Sequence, residues 1–357
     1  MAKKLTYDDG RAAVVGGAVF GGGGGGSMEE GFRFLETMRD SGYFPRLVGC
    51  DELAEQDLVA CVAMVGAPSA QEASVSMDQT VEAVELLAGS LPGELKALVT
   101  NENGGSTTVN GWYQAAALGL PILDSPSNGR AHPTGTMGAF GLHDEQNYMS
   151  VQAFCGGSNE RALRGTCSGN LRRASQLMRD ASVLAGGLIF VCRNPIPVAR
   201  ARDYGAPGAV SAAIDLGRRM LSAEPGRARV DAVIDALDAQ VLVEGIVQNV
   251  ELEQSGGFDV GRMEIEDCEF TFWNEFMTAD RRGTRVGTFP DLLFVLDADT
   301  GLPVSSAEVL NGQSLVALKA DRSSIRLGRS MHDKKLLADI EQVIGKSVIS
   351  ELEESWF

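Results

Sequence analysis

Residues able to carry acid–base chemistry gather in two neighbouring stretches. The first is Thr100-Asn101-Glu102-Asn103-Gly104-Gly105, just past an apolar segment, Leu95 to Thr100, that reads as a strand. The second begins at Asp124, past the short strand Pro121 to Leu123, and continues through Asn128-Gly129-Arg130-Ala131-His132-Pro133. Gly66-Ala67-Pro68 follows a third strand in the same way. In an open parallel sheet, ligands bind beyond the carboxyl ends of the strands. Glu102, Asp124, Arg130 and His132 could therefore meet in one pocket, with Asn101 beside them. Two carboxylates, an imidazole and a guanidinium suit proton transfer and the orientation of an anion. Glu102, Asp124 and His132 could also hold a divalent metal such as zinc, although oxygen-rich sites have no strong spacing rule. Loop capping is the competing role for Asn101 and Asp124, whose side chains commonly accept from backbone amides at turns.

The glycine run Gly21 to Gly26 is the second feature. It satisfies G-x-G-x-x-G by repetition alone. Cys50-Asp51 stands where a ribose-binding acid would sit, but a dinucleotide fingerprint must follow a strand. Here the preceding residues 6–19 open with Thr6 and Asp9 in capping-box spacing, which predicts a helix. A loop between two helices, with glycine amides approaching a ligand or another backbone, is the better reading for Gly24, Gly25 and Gly26. Gly165-Thr166-Cys167-Ser168-Gly169 has the G-x-C-x-G form of a nucleophile elbow and would make Cys167 a hydrolase nucleophile. The preceding Glu160 to Arg164 reads as helix, which counts against it. Further on, Asn274 and Glu275 interrupt the aromatic run Trp273 to Phe276, and Asp291 adjoins a buried strand. Polar groups in such settings are paired or used.

The elements that must position these residues alternate. Ser27 to Asp40 reads as a second helix. Phe44 to Val48, Leu58 to Val65 and Leu95 to Thr100 read as strands, Met77 to Ala88 and Thr107 to Leu118 as helices. This alternation predicts an α/β unit on a parallel sheet. Glu160 to Leu184 reads as mostly helical and Gly187 to Cys192 as a strand, followed by helices over Ala209 to Leu221 and Arg229 to Leu237. From Ala239 short strands dominate: Val241 to Glu253, Phe258 to Ile265, Glu269 to Met277, Arg285 to Thr288, Leu292 to Leu296 and Leu315 to Leu318. They are punctuated by turns such as Ser255-Gly256-Gly257. The expected division is an α/β domain over 1–238, a β-rich domain over 239–330 and a charged helix and tail over 331–357.

Composition narrows the function. The chain has 357 residues, with 48 acidic and 31 basic side chains and a net charge of −17. Such a chain lacks the clustered Lys and Arg that binding nucleic-acid phosphates requires. Three histidines exclude a histidine-rich metal cage. No apolar run approaches the ~18 residues of a membrane span, and the charged N-terminus has no signal-peptide pattern. Six scattered cysteines, none in C-x-x-C, fit buried thiols in a reducing cytoplasm.

Several of these pieces, in order, resemble the S-methyl thiohydantoin desulfurase family. They are GGAVFGGGGGG ending at Gly26, VAMVGAP at 62–68, NENGGSTTVNGWYQAAALGLPILDSPSNGRAHP at 101–133, WNEFMTAD at 273–280 and TFPDLLFVLDADTGLPV at 288–304. The resemblance spans roughly residues 5–320. It implies an α/β domain followed by a β-rich domain. It also implies an enzyme acting on a five-membered cyclic ureide or thio-ureide: water adds to the ring carbon bearing a methylthio group, methanethiol leaves and a hydantoin remains. The positions it implicates are Gly24, Gly25, Gly26, Glu102, Asn110, Asp124, Arg130, Asn274, Glu275 and Asp291. The family commonly has Phe-Pro-Glu where this chain has His132-Pro133-Thr134, and its aromatic ending is replaced here by a charged helix. The expected partner is thus a small cyclic substrate, bound by a homo-oligomer that engages neither nucleic acid nor membrane. A non-catalytic binding protein using the same cleft is the alternative.

Overall fold

The computed structural model describes residues 3–66, 72–255 and 258–357, with Ser255 described in its backbone only. Ala67-Pro68 and Gly256-Gly257 thus lie outside the described residues. The first sheet contains β1 (Lys3–Lys4), β2 (Arg46–Val48), β3 (Leu58–Gly66), β4 (Leu95–Thr100), β5 (Ile122–Leu123), β6 (Met149–Gly156), β7 (Leu163–Asn170) and β8 (Leu188–Pro197). Their order is β1-β2-β5-β4-β3-β8-β6-β7. Strands β2, β5, β4 and β3 run parallel, as the alternation predicts. Beyond β3 the pairings with β8, β6 and β7 are antiparallel, so the sheet is mixed rather than wholly parallel. Helices α1 (Tyr7–Gly21), α2 (Met28–Ser41), α3 (Met77–Gly89), α4 (Trp112–Ala117), α5 (Leu171–Leu184), α6 (Val198–Tyr204), α7 (Ala209–Ser222) and α8 (Arg227–Leu237) complete this part.

The second sheet is entirely antiparallel. It comprises β9 (Gln240–Ser255), β10 (Phe258–Ile265), β11 (Cys268–Trp273), β12 (Glu275–Arg281), β13 (Thr284–Thr288), β14 (Leu292–Asp297), β15 (Pro303–Val304) and β16 (Ser314–Ala320). The order is β13-β12-β11-β10-β9-β16-β14-β15. Helix α9 (Lys334–Ile344) follows, N-capped by Asp333. The α/β-then-β class therefore holds.

Helix α1 joins the two halves. Its capping box is made: Asp9 N–H donates to Thr6 Oγ1 at 3.2 Å, and Thr6 N–H to Asp9 Oδ2 at 3.0 Å. Ala12, Ala13 and Val14 enter the core under the first sheet, whereas Val15, Val19 and Phe20 enter the core shared with β14 and β16. A helix apolar all round is buried all round. It packs on α7 so closely that a Cβ on Gly16 would fall 1.9 Å from the Ala213 carbonyl oxygen. Its carboxyl end delivers the glycine loop to the second sheet.

Three expected elements are replaced. Leu163 to Asn170, expected as helix, is edge strand β7, and its side chains alternate between half-buried and exposed. Two of the inward positions are Gly165 and Gly169, so the period-two apolar signal is erased. The expected strand Glu269 to Met277 is two strands turning at Asn274, whose φ of 56° is left-handed; asparagine tolerates that conformation. The expected helix Thr107 to Leu118 is broken after a 3-10 turn by Gly111, at φ 90°. No helix among the described residues is long and apolar enough to cross a membrane.

Candidate active site

The loop after β4 and the loop after β5 run side by side, joined by a parallel bridge between Glu102 and Asn128. This brings Glu102 against His132: the His132 N–H donates to Glu102 Oε2 at 3.2 Å, and the imidazole Nε2 lies 3.2 Å from the same oxygen. Asn101 Nδ2 donates to that oxygen at 3.3 Å. The second sheet contributes Glu275 from the start of β12. Its carboxylate lies against the glycine loop so tightly that a Cβ on Gly24 would come 2.1 Å from Oε1.

Arg130 stands at this junction, fully buried. Its Nη1 donates to the carbonyls of Pro290 at 3.1 Å and Asp291 at 2.5 Å, and its Nε to Ala131 O at 3.1 Å. The guanidinium carbon lies 4.4 Å over the Phe289 ring. Among the described residues, its Nη2 and Glu275 Oε2 have no hydrogen-bond partner.

The electrostatics follow from burial. Loss of hydration pushes the Glu102 carboxyl up to about 8, against the opposing pull of the His132 amide, Arg193, Asn101 and Arg130. Glu275 is pushed well above the usual carboxylate range, first by burial and then by the charge of Glu102. Burial lowers His132 to about 3, so its imidazole is neutral and its contact with Glu102 is a carboxyl–imidazole hydrogen bond rather than an ion pair. Arg130 is lowered to about 10 and stays charged at neutral pH. The site thus holds two carboxyls that burial biases toward the protonated form, beside a guanidinium that stays charged.

The other expected site residues lie elsewhere. Asp124 does not join Glu102 and His132. Its carboxylate accepts from Val210 N at 2.8 Å and Ser211 Oγ at 2.5 Å, and so caps the N-terminus of α7. The capping role of Asp124 prevails, and the three-ligand metal set is not assembled. Among the described residues, the one group of three with ligand atoms within 4.8 Å is His143, Asp144 and Asp333. Glu102 and His132 supply two donors beside two guanidiniums, which does not fit a zinc site of three or four protein ligands. Asn274 Oδ1 accepts from Asp259 N at 2.9 Å and fixes the β11–β12 turn. Asp291 presents its carbonyl to Arg130, while its carboxylate accepts from Arg322 N at 3.2 Å. Asn110 lines a small cavity of about 30 Å³ with Phe34, Met64 and Phe190.

The glycine loop is a clasp more than an anion cradle. Gly22 and Gly23 carbonyls accept from Phe276 N and Ser306 N, and the Gly24 N–H donates to Gly21 O. The Gly25 carbonyl accepts from Ser106 N and Thr107 N, and a side chain on Gly26 would strike Ser106 Oγ. Cys167 sits in the middle of β7, not at a strand-to-helix turn, and burial raises its thiol pKa. Cys167 therefore has neither the position nor the acidity of an elbow nucleophile.

Arg193 is the site residue the sequence reading missed. It lies on β8, one residue past the expected strand end, and its Nη2 donates to Asn101 Oδ1 at 3.4 Å. An arginine and an asparagine inside the run LIFVCRNPIP were the available signal, because polar groups in a buried strand require partners.

Fold and site together define a two-sheet protein of the α/β-then-β class with a buried cluster of two carboxyls, an imidazole and a guanidinium where strand-end loops meet the second sheet. Residues 8–163 match the family model for the S-Me-THD-like N-terminal domain, and residues 169–339 the S-Me-THD-like C-terminal domain. The chain belongs to this S-Me-THD-like family. It is also similar to a protein from Chromobacterium violaceum known from an X-ray crystal structure, with a TM-score of 0.73, 20% identity and 96% of each chain covered. That likeness concerns the fold. No curated protein matches the chain.

Proposed function

We propose that the protein is a hydrolase of S-alkylated thiohydantoin or hydantoin-like rings, releasing a thiol and leaving a hydantoin. One observation carries this reading: the buried carboxyls of Glu102 and Glu275 both act on the buried guanidinium of Arg130, and among the described residues Glu275 Oε2 and Arg130 Nη2 are left without hydrogen-bond partners. Two carboxyls beside a fixed cation can divide the roles of acid and base. Family membership is in keeping with thiohydantoin-related chemistry.

Glu102, backed by neutral His132, takes a proton from water as its oxygen bonds to the ring carbon bearing sulfur. Glu275 gives its proton to the adjoining ring nitrogen. The carbon–sulfur bond then breaks with its electron pair leaving on sulfur. The new hydroxyl returns a proton to Glu275 as the carbonyl forms, and the thiolate takes the proton held by Glu102. Water and the S-alkyl ring thus become hydantoin and thiol, and both carboxyls are restored. The free Nη2 of Arg130 steadies the charge that develops at the ring.

The test is incubation with S-methyl thiohydantoins and hydantoins, with and without added divalent metals, reading free thiol and ring products by chromatography. We expect thiol and hydantoin in equal amounts, and Glu102→Gln and Glu275→Gln to lower kcat by about 100-fold or more. Binding without turnover, or full activity in both variants, would overturn the reading.

A further inference from the structure

Strand β7 closes one side of the first sheet, and its outer edge is bare. It pairs with β6 along its whole length, from Met149 opposite Asn170 to Gly156 opposite Leu163, with no shift of register. Outside that pairing, no backbone group from Leu163 to Gly169 forms a hydrogen bond among the described residues. A bare edge is a template for another strand, and proteins blunt such edges by shortness, Lys, Pro or a bulge. Strands β1 and β15, also outermost in their sheets, have two residues each. Strand β7 has eight, contains neither Lys nor Pro, and its single charge, Arg164, is paired with Glu82.

Helix α5 covers one face of this edge. Leu163 and Cys167 of β7 pack in one cluster with its Met178 and Ala181. One flank of α5 carries Arg179, which lies over the Phe258 ring of the second sheet. Leu177 and Leu184, one heptad apart, stand on the opposite flank and are 47% and 68% exposed. Arg173 and Asp180 lie on that same side, one before Leu177 and one after it. Among the described residues, the Asp180 carboxylate bonds only to Gln176 of its own helix, and the Arg173 guanidinium to nothing. The helix leaves the carboxyl end of β7 and runs back above the sheet. At about 1.5 Å per helical residue Leu177 lies roughly 10 Å back from the junction, and at about 3.3 Å per strand residue the middle of β7, between Thr166 and Cys167, lies roughly 12 Å back. The two positions are therefore level.

We infer that β7 and α5 form the contact with a second copy of this chain, the two copies being related by a two-fold axis through the middle of β7. Each β7 pairs antiparallel with its counterpart, which satisfies the open edge and joins the two first sheets into one. The same axis passes beside Leu177, so exposed leucines of the two α5 helices come together above the join, and Arg173 of each copy faces Asp180 of the other. A two-fold contact requires a surface complementary to itself. A cation and an anion on either side of an apolar centre supply that. A lone extended peptide would fill the edge but leave the leucines in water, so a whole copy is the occupant that fits. The contact is independent of the chemistry proposed above.

Analytical ultracentrifugation on dilution of the full chain tests this. The native protein should sediment as a dimer. Arg173→Asp and Asp180→Arg each set like charges against each other twice across the axis, and each should raise the dimer Kd at least about 10-fold. An equimolar mixture of the two variants should recover native association, because in the mixed dimer every changed charge meets its opposite. Leu177→Glu, which places a charge beside the axis, should also raise the Kd at least about 10-fold, with no recovery on mixing with either variant. Circular dichroism verifies that these surface variants fold. A native chain that stays monomeric up to about 100 μM, where a contact of micromolar Kd is filled, would overturn the inference. So would single reversals that associate as the native protein does, or a mixture that associates no better than its parts.

Discussion

Replacing Glu102 by glutamine should make the protein more stable above neutral pH while impairing its chemistry. A free glutamate ionises near 4.5, whereas burial holds Glu102 up at about 8. Between those values the unfolded chain has lost a proton that the folded chain keeps. Stability from this group is therefore complete below pH 4.5, declines as pH rises, and levels off above pH 8. A difference of about 3.5 in pKa, at roughly 1.36 kcal/mol each, amounts to about 5 kcal/mol at pH 8.5 and less than about 1 kcal/mol at pH 5. Glutamine does not ionise, and its carbonyl still accepts the His132 N–H. With an unfolding entropy of about 0.75 kcal/mol/K for a chain of this length, Glu102→Gln should melt about 6 °C above the native protein at pH 8.5 and about 1 °C above it at pH 5. Thermal unfolding followed by circular dichroism from pH 5 to 9 measures the difference. A gap that stays flat with pH, or favours the native protein at high pH, would show that Glu102 titrates as an ordinary surface acid and would remove the basis for its role as base.

Asp124→Ala should cost about 1–2 kcal/mol, the usual range for a lost helix cap, seen as a lower Tm, with kcat on any confirmed substrate nearly unchanged; a loss like that of Glu102→Gln would return Asp124 to the chemistry. Gly24→Ala places a methyl 2.1 Å from Glu275 Oε1, so it should displace that carboxyl and lower kcat at least about 10-fold in a chain that still folds by circular dichroism; unchanged kcat would deny that the loop seats Glu275. Cys167→Ala should leave thiol release intact, because the side chain lies mid-strand and packs with Phe154 and Met178; inactivation in that assay would revive the cysteine.

Much of the first sheet was legible because local rules agreed with the fold. Thr6 and Asp9 announced α1, Ser27 announced α2, and apolar runs between polar loops announced β3 and β4. The readings that failed are those where local pattern and tertiary pairing diverge. Strand β7 is recognisable only through its pairing with β6, since glycines occupy inward positions. The turn at Asn274 depends on β10, whose Asp259 N–H and carbonyl both bond to it. Arg193 fell just past the expected strand Gly187 to Cys192, whereas β8 runs on to Pro197.

The sequence by itself determined that carboxyls, an arginine and a histidine follow strand ends, and that glycines join two helices. Those properties depend on residue type and short-range spacing. The tertiary structure alone decided which of the acids face each other. Glu102 and Glu275 lie about half the chain apart and come together only because α1 carries the glycine loop across to the second sheet. Asp124, close to Glu102 along the chain, is turned away by the open amides at the start of α7. Protonation at this site is set by loss of water, and burial is a property of the assembled layers that no short stretch of sequence contains.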